Sequence, residues 1–93
     1  MNGTRVVNRR VEEEDVYIGR GSKWGNPYKI SRDGNREEVI ELYRLYLGGP
    51  RVDLLDDLHE LEGKKLGCYC APRACHGDVL IEEINAQKER EGR

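Results

Sequence analysis

Residues 66–78, Leu66-Gly67-Cys68-Tyr69-Cys70-Ala71-Pro72-Arg73-Ala74-Cys75-His76-Gly77-Asp78, hold all three cysteines of the chain and one of its two histidines. This stretch constrains the fold because its pattern changes twice. Lys64 to Cys70 reads as a strand, Pro72 forbids the ladder to continue, and the segment after Cys75 reads as a helix with Val79, Leu80, Ile81 and Ile84 facing inward. Residues two apart on a strand share a face, so Cys68 and Cys70 are expected to present their sulfurs together at its carboxyl end. Strand register decides whether Cys68 meets the site or the core. Cys75 and His76 fall at the first turn of the helix, where free N–H groups and the helix dipole favour a thiolate. Cys75 is therefore the thiol expected to react.

The segments before it supply the rest of a small sheet and its cover. Thr4 to Asn8 is a β-branched run, and Asp15 to Arg20 is a second strand centred on Val16, Tyr17 and Ile18. Glu12-Glu13-Glu14 between them reads as solvated. Gly21-Ser22-Lys23-Trp24-Gly25-Asn26-Pro27 is dense in turn residues. A helix is expected from about Asn35 to Leu47, with Val39, Tyr43 and Tyr46 on one face, Ile40 and Leu47 beside it, and Asn35 with Glu38 as a capping pair. Gly48-Gly49-Pro50 ends it. A second helix, from about Arg51 to Glu62, carries the stripe Leu54, Leu55, Leu58 and Leu61, with Gly63 as its stop and His59 on its surface.

The order is β-β-α-α-β-α, an α/β or α+β domain with a short, mixed, partly parallel sheet and about three helices. The domain is expected over residues 1–86, with a frayed polar tail over 87–93. At 93 residues, with hydrophobic and charged fractions both at 37%, the chain fits one domain with a thin core.

Charge and cysteine usage limit the function classes. A net charge of −2 argues against general nucleic-acid binding. Positive charge is nonetheless concentrated in the first third, at Arg5, Arg9, Arg10, Arg20, Lys23, Lys29 and Arg32, where it can form a local anion site. No apolar run of signal-peptide type follows Met1 and no stretch approaches bilayer-spanning length, so a cytoplasmic protein without a membrane partner is expected. Three closely spaced cysteines do not make a disulfide framework; in a reducing compartment such a cluster points to metal binding or catalysis.

Two functional readings use the same atoms. In one, helix N–H groups and Arg73 hold a phosphate or carboxylate. Cys70 or Cys75 is then the nucleophile, His76 the general acid or base, and Asp78 orients His76 or caps the helix. The first loop supplies the other wall: Tyr17, Arg20, Lys23, Trp24 and Asn26 offer a phenol, two cations, an indole and an amide, suited to a planar, phosphorylated ligand of nucleotide type. In the other reading Cys68, Cys70, Cys75 and His76 hold zinc, and the domain is a metal-stabilised module for protein or nucleic-acid interaction. That ligand set is common in structural zinc sites, but its spacing departs from the paired C-x2-C pattern. A third account makes the cysteines small buried apolar residues, and Trp24 a core residue.

Tyr17-Ile18-Gly19-Arg20, Trp24-Gly25-Asn26-Pro27 and Leu66-Gly67-Cys68-Tyr69-Cys70-Ala71-Pro72 with Cys75-His76-Gly77-Asp78-Val79-Leu80 together resemble a small family of bacterial and phage proteins known as a domain of unknown function. The resemblance covers nearly the whole chain and keeps the motif order. It implies that the first loop and the cysteine stretch act as a pair, and it brings no activity with it. A more distant similarity is to another uncharacterised family, with a Cys-His-Arg sequence before a helix. In that family only Cys68, Cys75 and His76 have counterparts, and Gly77 departs from its arginine.

Overall fold

The computed structural model describes residues 3–71 and 73–91. Pro72 and the last two residues of the expected tail lie outside that range. The elements follow the expected order: β1 (Arg5–Asn8), β2 (Val16–Tyr17), α1 (Arg36–Gly48), a 3-10 helix (Val52–Glu60), β3 (Lys65–Cys68) and α2 (His76–Arg90).

β3 is the middle strand of a three-stranded sheet ordered β1-β3-β2, and both of its neighbours run parallel to it. The sheet is thus wholly parallel rather than mixed. Leu66, Gly67 and Cys68 form an unbroken buried run, the pattern of a strand covered on both faces. Leu66 and Cys68 face the helices and join the hydrophobic core, so the register puts Cys68 on the helix-covered face. Gly67 faces the other way. A Cβ there would stand 2.5 Å from Glu14 Cβ, because the link from β1 to β2 crosses β3 at that point. The two outer strands are two strand spacings apart, about 10 Å, which seven extended residues span easily. Only a glycine leaves room for the crossing.

β2 is shorter than its apolar sequence suggests. Its ladder is flanked by the Asp15 N–H donating to Lys65 O (2.9 Å) and the Ile18 N–H donating to Gly67 O (3.0 Å). Beyond Ile18 the chain leaves the sheet, and Gly19 O instead accepts from the Ser22 N–H (3.1 Å) and the Ser22 hydroxyl (2.6 Å). Gly19 and Arg20 thereby belong to a loop.

α1 begins as its sequence signals. Asn35 Oδ1 accepts from the Glu38 N–H (2.9 Å) and Glu38 Oε1 accepts from the Asn35 N–H (2.8 Å), a reciprocal cap. Val39, Tyr43 and Leu47 are its buried stripe, one residue per turn; Ile40 and Tyr46 flank it, half-buried.

The second helix is a 3-10 helix over nine residues, not the α-helix expected from Arg51 to Glu62. Its two ends close with bonds between residues three apart, the Leu54 N–H donating to Arg51 O (3.0 Å) and the Leu61 N–H to Leu58 O (2.9 Å), the pattern of a three-residue turn. Leu54, Leu58 and Leu61 are fully buried and Leu55 lies at the edge of the core.

α2 continues to Arg90, five residues past the point where its polar composition predicts fraying. Its last turns are held from outside: Gln87 Nε2 donates to Leu55 O (2.7 Å) and Lys88 pairs with Glu62 (3.4 Å). At its other end Gly77 lets the helix lie directly on the sheet. A Cβ there would meet Val6 Cγ2 at 2.7 Å and Ile18 Cδ1 at 2.9 Å.

Candidate functional site

A cavity of about 300 Å³ opens at the carboxyl ends of β2 and β3, between the loop that follows β2, the first turns of α1 and the segment joining β3 to α2. Open parallel sheets bind ligands at this edge. Tyr17, Arg20 and Asn26 line it from the first loop; Cys68, Cys70, Cys75 and His76 line it from the cysteine stretch. The two motifs expected to act as a pair therefore face one space.

Each wall has a local cause. Asn8, at the end of β1, donates from Nδ2 to Ala71 O (3.0 Å) and Tyr69 O (3.3 Å), tying down the chain that leaves β3. Cys70 O accepts from the Arg73 N–H (2.8 Å), closing the turn. Asn26 spends both ends of its amide on the loop: Oδ1 accepts from the Tyr28 N–H (2.9 Å), and Nδ2 donates to Val39 O (3.0 Å). Arg36, in the first turn of α1, donates from Nη1 to Ala74 O (3.0 Å) and bridges the two sides of the opening.

The sulfurs form the floor. Cys68 Sγ and Cys75 Sγ are 3.6 Å apart. Cys68 Sγ also accepts from the Cys70 N–H (3.4 Å), and Cys75 Sγ from the Gly77 N–H (3.3 Å). Cys75 is the N-cap of α2, and Asp78 Oδ2 accepts from the Cys75 N–H (3.2 Å). Asp78 is thus a capping residue. Cys68 ends the strand where several donors converge: the bond from Cys75 outweighs burial and, with the N–H groups of Cys70 and Ala71, lowers its thiol below the ordinary value. The same bond, with burial and the neighbouring charge, drives the Cys75 thiol up. The surroundings favour the thiolate at Cys68, although the helix start alone points to Cys75.

His76 is buried against the sheet, with Nε2 donating to Ile18 O (2.7 Å) and its ring edge-to-face with Tyr43 at 4.9 Å. Burial lowers its pKa; the bond to Ile18 O opposes this, Arg20 adds to it, and Asp78 opposes it. The neutral ring with its proton on Nε2 keeps Nδ1 as an acceptor. One ring nitrogen is therefore committed to the backbone of β2. Among the described residues no group of three or more His, Cys, Asp or Glu side chains is placed to hold a metal ion. The tetrad Cys68, Cys70, Cys75 and His76 is not assembled as a zinc site.

Four expected residues stand outside the lining, the helix-capping Asp78 among them. Trp24 is a core residue, 3% exposed, and its carbonyl accepts from the Tyr43 hydroxyl at 2.7 Å. Lys23 lies over the Trp24 ring and pairs with Asp57 (2.8 Å) and Glu60 (3.1 Å) of the 3-10 helix. Arg73 is exposed on the turn. Arg36, Tyr28 and Tyr69 line the cavity without having been singled out in the sequence. Arg36 follows a strong helix cap, and that is the one sequence signal that points to it.

A family model described as a domain of unknown function, DUF4326, matches residues 2–86. The chain belongs to this family. Among relatives of the DUF4326 chain is an uncharacterized 12.4 kDa protein in the nrdA-td intergenic region of Enterobacteria phage T4, 38% identical over 84 residues, covering 87% of this chain and 77% of the phage protein. Another is the uncharacterized protein R718 of Acanthamoeba polyphaga mimivirus, 38% identical over 96 residues, covering 84% of this chain and 72% of the viral one. No solved structure gives a significant match to the DUF4326 chain. Among its described residues no helix is long and apolar enough to cross a membrane.

Proposed function

We propose that this DUF4326 chain binds a small phosphate-bearing ligand of nucleotide type in the cavity, with Cys68 as the thiolate at its floor. The observation that carries the reading is the make-up of the lining. It contains Arg20 and Arg36 and, among the described residues, no aspartate or glutamate. Two cations without a carboxylate favour an anion. Tyr17, Tyr28 and Tyr69 add aromatic surface for a planar group.

In this reading Arg20 and Arg36 clamp the phosphate, and the ring of the ligand rests among the tyrosines. Cys68 faces its reactive carbon. His76 holds the geometry through β2 rather than acting as the first base.

Calorimetric titration with nucleoside 5′-monophosphates, the matching nucleosides and inorganic phosphate tests it. At least one monophosphate is expected to bind, its nucleoside much more weakly, and Arg20→Ala should weaken the monophosphate by about tenfold to a hundredfold, the size of a charge-assisted hydrogen bond. Equal affinity for nucleoside and nucleotide, or no heat with any phosphate-bearing ligand, would overturn the reading.

A further inference from the structure

We propose that Cys68 and Cys75 form a peroxide-reactive dithiol, in which Cys68 is oxidised first and Cys75 resolves it to a disulfide between the two. Ligand binding is no part of this, and it stands on different observations.

The two sulfurs are already in contact at 3.6 Å, and a disulfide bond of about 2.05 Å needs an approach of about 1.5 Å. One partner is placed to make that approach. Cys68 ends a central strand, and its carbonyl accepts from the Arg9 N–H (3.0 Å), whereas Cys75 is the N-cap of α2, with extended backbone and no place in a strand ladder. Each thiol is nearly closed to bulk water, at 3% and 4% exposure, yet both line the cavity. The cavity gives a molecule the size of hydrogen peroxide a way in to both sulfurs. The N–H groups of Cys70 and Gly77 aimed at the two sulfurs favour negative charge there, which is what a nucleophilic thiol needs. The third cysteine, Cys70, donates its backbone N–H to Cys68 and is a rival resolving thiol.

The chemistry balances with peroxide as the only added reactant. The Cys68 thiolate attacks one peroxide oxygen, the O–O bond breaks, sulfenic acid forms on Cys68, and hydroxide leaves. The Cys75 sulfur then attacks the Cys68 sulfur, the S–S bond forms as the S–O bond breaks, and the hydroxyl departs as water with the Cys75 proton. Two thiols lose two electrons to the peroxide. In a reducing compartment the disulfide is returned by small thiols, so it marks a transient state and not a structural staple.

The chain carries a convenient readout. Trypsin cleavage after Arg73 puts Cys75 on one peptide and Cys68 with Cys70 on another. Reduced protein treated with one equivalent of hydrogen peroxide, alkylated and digested without reductant, should yield these two peptides joined, with the alkyl group on Cys70. Cys70→Ala should give the same joined pair. Cys75→Ala should stop at sulfenic acid on Cys68, trapped by a cyclic 1,3-dione. A disulfide that includes Cys70, cross-linked dimers as the main product, or three thiols that remain fully alkylatable would overturn the proposal. The wild-type map decides even if a variant fails to fold.

Discussion

His76 shows how one side chain can carry both packing and pH sensitivity. Its Nε2 proton serves Ile18 O and its ring rests against Tyr43, so taking up a second proton would charge a buried ring. Above pH 6.5, its ordinary value, the ring is neutral in folded and unfolded chains alike. Below that, the unfolded chain binds a proton that the folded chain refuses, and stability falls as pH drops from about 6.5 toward the folded value, then levels off. Proton NMR of His76 should place its midpoint below 6.5, and denaturation midpoints should decline across the same window. A His76 midpoint at or above 6.5 would show that burial does not govern the ring.

At the scale of elements, α1 ties stability to the site. Asn35→Ala removes one half of the reciprocal cap and should cost about 1 kcal/mol in urea unfolding, with Cα chemical-shift changes concentrated in the first turn around Arg36. An unchanged midpoint would mean that the cap is dispensable. This helix was legible from Asn35, Glu38 and an apolar face through Val39, Tyr43 and Tyr46, because a cap and a stripe are local properties, although Leu47 and not Tyr46 completes the buried row. The 3-10 helix was legible as a helix with a leucine stripe but not in its type, since rows at three and at four residues both fit Leu54, Leu55, Leu58 and Leu61. The continuation of α2 past Asn85 rests on Gln87 and Lys88 meeting Leu55 and Glu62, contacts that no local pattern announces. The site divides in the same way. Cys68, Cys70, Cys75 and His76 advertise themselves by type and spacing, whereas Arg36 and Tyr28 reach the cavity only because α1 folds against the cysteine turn. For Trp24 the sequence left a stacking surface and a core position open; it is a core residue, its carbonyl accepting from the Tyr43 hydroxyl of α1.

The molecule as a whole has one core. Ile18, Trp24, Tyr43, Leu47, Leu58, Leu66 and Leu80 belong to a single cluster that draws on the sheet, both long helices, the 3-10 helix and the first loop. Among the described residues Val6 of β1 and Val16 of β2 also pack against this cluster, so the described fold should melt as a unit. Trp24 is the one tryptophan and lies inside that cluster. Unfolding followed by its fluorescence and by far-ultraviolet circular dichroism should give coincident curves; curves that separate would mean that part of the structure loosens before the rest.

β3 pairs with both other strands, Asn8 standing opposite Cys68 and Tyr17 opposite Gly67, so as the chain is synthesised its first two strands wait without a partner until the third has been made. Contacts between such distant residues are slow to form. The cysteine floor lies at the end of that last strand, and the helix cap that completes it comes later still. The chain therefore has its paired thiols only once nearly everything else is in place, and a stalled or truncated product would carry Arg20 and Arg36 without the sulfurs that share their cavity.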